Sequence, residues 1–143
     1  MSMIFSALLG LSLVGATSAT PTLSDLPAVE RALNDGRLVT VVLDLTKCEP
    51  GSTDTKATKT RGGKHIDAYR IDENGVLGFA DDHFTIGRDG KPIRQFLRYR
   101  VYPGGEVDFS MTIFSIPDYQ RVGATLEYKC TINNGTRFVA THR

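Results

Sequence analysis

From Asp72 onward the chain is cut at short intervals by turn-forming residues: Asp72-Glu73-Asn74-Gly75, Asp89-Gly90, Pro103-Gly104-Gly105 and Asn133-Asn134-Gly135. Between these points run stretches in which apolar and polar residues alternate. Glycine tolerates the positive φ of tight reversals, and a period of two is what a strand with one buried face requires. Four successive hairpins predict an antiparallel meander. About eight short strands, each with one apolar face, fit a mainly β single domain that closes as a small barrel, with a β-sandwich as the alternative.

Directly opposed residues of antiparallel strands share a face, so the alternation tests the loop lengths. Across Pro103-Gly104-Gly105 only an odd-length loop sets apolar against apolar. A three-residue loop there pairs Val101 with Val107, Tyr99 with Phe109, Leu97 with Met111, and Arg100 with Asp108. A two-residue Asp89-Gly90 loop sets Ile86 opposite Ile93 and Phe84 opposite Gln95. Ile93, Leu97, Tyr99 and Val101 then face inward, with Arg94, Phe96, Arg98 and Arg100 on the other face. Farther on, Leu126, Tyr128, Cys130 and Ile132 alternate with polar residues, which aims Cys130 inward.

Before the meander, Ser24 to Gly36 reads as one short amphipathic helix. Ser24 is its predicted cap, Pro27 falls in the first turn, Gly36 supplies a left-handed end, and Leu26, Val29 and Leu33 share a face. The run Leu38 to Leu45 is β-branched and almost continuously apolar, which predicts a central strand covered on both sides. Glu49 to Lys59 holds no apolar residue larger than alanine and reads as a mobile surface loop.

Residues 1–19 carry no charged side chain; an apolar run, Ile4 to Val14, is followed by the small residues Gly15-Ala16-Thr17-Ser18-Ala19. This is the pattern of a signal peptide cleaved after Ala19, and its core is too short to span a bilayer. The expected product is an exported protein, periplasmic or extracellular, comprising residues 20–143 and not inserted in the membrane. In such a compartment an even cysteine count favours pairing, and Cys48 and Cys130 are the chain's two cysteines. Seventeen basic residues against sixteen acidic ones argue against a general polyanion binder, nucleic acid included.

Several stretches together resemble the VirK protein family: Ala32-Leu33-Asn34-Asp35-Gly36 leading into Val41 to Cys48, His65 to Ile71, Asp82 to Ile86, Gly90 to Val101, and Tyr128-Lys129-Cys130. The block from Pro92 to Val101 is the most specific. The resemblance implies a small exported protein of a family named for a virulence-associated gene, whose molecular activity is not established. It supports the Cys48–Cys130 disulfide and carries over no catalytic residue.

Two surface features have site chemistry. On one extended strand His65, Asp67 and Tyr69 project to the same side, and a three-residue Glu73-Asn74-Gly75 loop sets them opposite His83, Asp81 and Phe79. Imidazoles and carboxylates so grouped make His65, Asp67 and His83 candidate metal ligands or enzymatic groups. Arg94, Phe96, Arg98 and Arg100 form a cationic and aromatic stripe for an anionic surface or a protein partner, although Asp108 opposite Arg100 offers a cross-strand salt bridge. Serine-hydrolase and phosphate-loop motifs are absent, and no cofactor is called for. The leading expectation is a non-enzymatic binding protein. A metal-dependent enzyme and a carrier of a small apolar ligand in the barrel lumen are the alternatives.

Overall fold

The computed structural model describes residues 21–141, so the signal peptide expected at residues 1–19 lies outside it. The elements are β1 (Thr22–Leu23), α1 (Leu26–Asn34), β2 (Leu38–Asp44), a 3₁₀ turn (Leu45–Lys47), β3 (Glu49–Pro50), β4 (Arg61–His65), β5 (Arg70–Ile71), β6 (Leu77–Ile86), β7 (Pro92–Val101), β8 (Glu106–Ser115), β9 (Leu126–Ile132) and β10 (Gly135–Thr141). They form one sheet ordered β4-β2-β10-β9-β8-β7-β6-β5, with β1 added to β10 and β3 to β9.

The protein is mainly β with one short helix, as the alternation predicts, and the sheet curls into a half-barrel. Among the described residues no ladder joins its two ends, β4 and β5. Instead the Lys64 side chain crosses the gap, donating to the Ala80 carbonyl at 2.9 Å and meeting Asp81 at 3.3 Å.

The helix is capped one residue later than expected: the Asp25 carboxylate, not Ser24, accepts the Ala28 N–H at 2.9 Å. At the other end Arg37 N–H donates to Ala32 and Gly36 N–H to Leu33, closing the helix through a left-handed Gly36 at φ 69°. Leu26, Val29, Ala32 and Leu33 are buried. β2 is covered fully on one side only, since Val39, Val41 and Leu43 are buried while Leu38, Thr40, Val42 and Asp44 are partly exposed. Its neighbours β4 and β10 lie beside it in the sheet, and hydrogen bonding to both leaves the outer face to solvent.

The hairpin registers divide. Val101 pairs with Val107, Tyr99 with Phe109 and Leu97 with Met111, as parity requires. The Asp89-Gly90 turn is one residue longer than expected. Ile86 pairs with Pro92 and Phe84 with Arg94, so Phe84 and Ile86 join the outward face of β7. Gly90 has φ 79°, and Arg88 is the extra loop residue. Asn133-Asn134-Gly135 makes one antiparallel bridge, Thr131 with Asn134, but no hairpin ladder follows it. Asn133 (φ 66°) and Gly135 (φ 89°) turn the chain so that β10 leaves parallel to β9 and pairs antiparallel with β2. A Cβ on Gly135 would collide with Cys48 Sγ, so this glycine also makes room for the disulfide that joins Cys48 to Cys130.

Nor is the stretch from Glu49 to Lys59 a free loop. Glu49 and Pro50 pair with Lys129 and Tyr128, and Gly51 N–H donates to the Glu127 carbonyl at 2.7 Å. Thr55 is buried, and its hydroxyl accepts the Glu127 N–H at 2.9 Å. Polar contacts hold this segment on β9, so hydrophobic patterning could not announce it.

Across β6, β7, β8 and β9 the inward residues stand in rows. Leu77, Val101, Val107 and Cys130 form the first, and Phe79, Tyr99, Phe109 and Tyr128 the second; all eight are buried. These rows belong to the core that contains α1, Val39, Val41, Phe138 and Ala140. The third row, Asp81, Leu97, Met111 and Leu126, is only partly buried. The core therefore fills one end of the half-barrel and stops at the aromatic row.

Candidate functional site

The aromatic row is the floor of a cavity. Phe79 stacks on Tyr99 at 4.7 Å between ring centroids, Tyr99 leans on Phe109 at 5.0 Å, and Phe109 lies 6.3 Å from Tyr128. Beyond it opens a cup of about 560 Å³, in the usual range for small-molecule pockets. Leu43, Leu45, Leu97, Met111 and Leu126 give it apolar walls. Thr58 and Thr60 contribute from the segment pinned on β9, while Lys64, Asp81, His83 and Gln95 stand among its polar lining.

The two tyrosines of the floor differ. The Tyr128 hydroxyl donates to the Lys56 carbonyl at 2.9 Å. Tyr99 is 2% exposed, and its hydroxyl, which makes no protein hydrogen bond among the described residues, is not one of the buried polar atoms left without a partner, so it reaches the open space of the cup. Burial, reinforced by the nearby Asp81 carboxylate, pushes its pKa up to about 12. At neutral pH it is a fixed O–H donor at the edge of an apolar space. Alternation along β7 would have found Tyr99 as a core residue, but only the ending of the core one row later makes it part of a site.

The expected row of His65, Asp67 and Tyr69 is broken by the pairing of β4. β4 pairs with β2, setting His65 beside Thr40, rather than with β6. His65 Nδ1 lies 2.7 Å from the Thr40 hydroxyl, Asp67 is exposed after the strand ends, and Tyr69 OH donates to Asn34 Oδ1 at 2.8 Å. His83 lies apart at the cup, 4.0 Å from Asp81. No group of three or more His, Cys, Asp or Glu side chains among the described residues is arranged to hold a metal ion.

The arginine stripe stays on one outer face of β7 and divides by partner. Arg94 pairs with Asp82 at 2.9 Å. The expected Arg100–Asp108 salt bridge gives way to other contacts, although the two residues are register partners. The Arg100 guanidinium lies 5.2 Å from the centre of the Tyr102 ring, while Asp108 accepts the Tyr102 hydroxyl at 2.9 Å and faces Lys129 at 3.8 Å. That hydroxyl is raised in pKa, first by its hydrogen bond to Asp108.

The sequence pattern of the VirK protein family matches residues 22–119, which include most of the sheet and much of the cup. The chain belongs to the VirK family. Among VirK relatives, an uncharacterized protein in the pinF2 3′ region of Rhizobium radiobacter is 53% identical over 136 residues, covering 90% of this chain and 94% of that protein. The uncharacterized protein y4wH of Sinorhizobium fredii (strain NBRC 101917 / NGR234) is 47% identical over 144 residues and 99% of both chains. The crystal structure of lpg1832, a VirK family protein from Legionella pneumophila, superposes with a TM-score of 0.73 over 84% of this chain and 98% of that one, at 19% identity. That likeness shows the fold.

Proposed function

We propose that this VirK protein is a non-enzymatic, exported binding protein that holds a small, largely apolar molecule in the cup at the open end of the half-barrel. The observation that carries this reading is an apolar-walled cavity of about 560 Å³ with a largely buried tyrosine, Tyr99, in its lining. A ligand with an apolar body and an oxygen acceptor at its inner end would cover the leucines and Met111 and accept from the Tyr99 O–H. The polar groups of the lining are tied to one another, Lys64 meeting Asp81 at 3.3 Å and His83 lying 4.0 Å from the same carboxylate, an arrangement that supplies no nucleophile beside a base. The uncharged leader and the disulfide support export.

Nile red, a neutral dye that brightens in apolar surroundings, tests the reading. We expect saturable binding to the protein recovered from the exported fraction, and at least tenfold weaker binding by Met111→Trp, which fills the cup. Dye that does not bind, or binds equally well to the tryptophan variant, counts decisively against it.

A further inference from the structure

The longer Asp89-Gly90 turn assembles a surface on the face opposite the cup. Register aligns Phe84, Arg94 and Phe114 across β6, β7 and β8, and a bridge continues the row to Arg121. Phe96 meets Phe114 edge-on at 5.4 Å, and Tyr119 lies 6.4 Å from Phe114. Phe84 and Ile86 are each 57% exposed, Tyr119 50% and Phe96 40%. Large apolar side chains gathered on an outer sheet face, with arginines set between them, mark an interaction surface rather than scattered exposure.

The charge on this face favours an anionic partner. Asp82 pairs with Arg94, while Arg98 and Arg121 have no salt bridge among the described residues. Arg88 and Lys91 stand exposed at the hairpin tip beside Ile86. Aromatic and aliphatic groups that enter the head-group layer, flanked by arginines that meet phosphates, are the components of peripheral membrane binding. A single-stranded nucleic acid would use open ring faces for stacking. Here Phe96 and Phe114 are turned edge to face on each other, and the chain's net charge is only +1.

We infer that the outer face of β6, β7 and β8, through Phe84, Ile86, Phe96 and the arginines around them, docks the protein on an anionic lipid bilayer. The cup opens along the inner face of the same strands, where His83 and Gln95 adjoin Phe84 and Phe96 in sequence. A docked molecule would thus hold its cavity on the far side of the sheet from the lipid, one strand thickness away.

Co-sedimentation with vesicles decides the matter, using the exported protein with pure phosphatidylcholine and with a 7:3 mixture of phosphatidylcholine and phosphatidylglycerol. Binding should be at least tenfold stronger to the anionic vesicles and weaken in high salt. Phe84→Ser with Ile86→Ser should cut it at least tenfold. Arg98→Glu should also cut it, and because Arg98 is exposed and has no salt bridge, it serves if the double variant fails to fold. The inference is overturned by an absence of binding to anionic vesicles, by equal binding to neutral ones, or by variants that fold and bind like the parent. It is equally overturned if ultracentrifugation shows a dimer that the same substitutions split, since the face then belongs to a second copy.

Discussion

The two ends of the β6–β9 ladder are built from the same strands in the same register, and they do opposite things. At the end nearer α1, Leu77, Val101 and Val107 are fully buried and join Val29, Val39 and Phe138 in the core. Two rows farther along, Leu97, Met111 and Leu126 are as apolar in type but remain partly exposed around a cavity. Alternation sets which face of a strand turns inward. Whether that face becomes core or cup depends on what stands across from it: Val29, Val39, Val41, Phe138 and Ala140 share the core with the first two rows, while the third row lines the cavity.

The largest effect should come from the tie at the filled end. Cys130 belongs to the first inward row, and its bond to Cys48 closes a loop with a sequence separation of 82. By the chain-entropy estimate, reduction should lower stability by about 4 kcal/mol, read as a shift of the urea midpoint with and without dithiothreitol. A midpoint that does not move would show that the half-barrel holds itself together without it.

Paired truncations probe the comparison itself. Leu77→Ala leaves a void in a closed core and should cost about 3 kcal/mol, whereas Leu97→Ala enlarges a space that is already open and should cost about 1 kcal/mol or less. Equal costs in denaturant titrations would mean that the cup is packed as tightly as the core.

The boundary between the two ends has a pH signature. Tyr99 lies in the aromatic row, and its folded pKa of about 12 stands above the usual 10.0. Between those values the unfolded chain loses this proton before the folded one does. Stability is therefore retained below pH 10 and falls as pH rises toward 12, by about 2 kcal/mol from this group. Tyr99→Phe should flatten that part of the profile, and an unchanged alkaline loss would place the cause elsewhere.

How far the sequence foretold these features depends on how local their causes are. The Pro103-Gly104-Gly105 register was legible because a wrong parity would have set Val101 and Tyr99 against polar residues. The Asp89-Gly90 turn carried no such check, since Phe84 and Ile86 are apolar on whichever side they fall. One residue, Arg88, moved both to the outer face and built the aromatic and arginine surface. The pairing of β4 with β2 depends on strand contacts distant in sequence, which no local pattern encodes, and it took His65 away from His83. An apolar ligand in the lumen is among the alternatives that the sequence allows, but it does not single out the residues that line the cup: in the alternation Leu97 and Met111 look like core residues, and only their partial exposure around the cavity sets them apart.

Native mass spectrometry of the gently purified protein tests the central claim most directly. The account predicts a population carrying one small molecule, lost in Met111→Trp and retained in Arg98→Glu, which lies on the other face. Empty protein throughout, or an adduct that survives filling the cup, would contradict it.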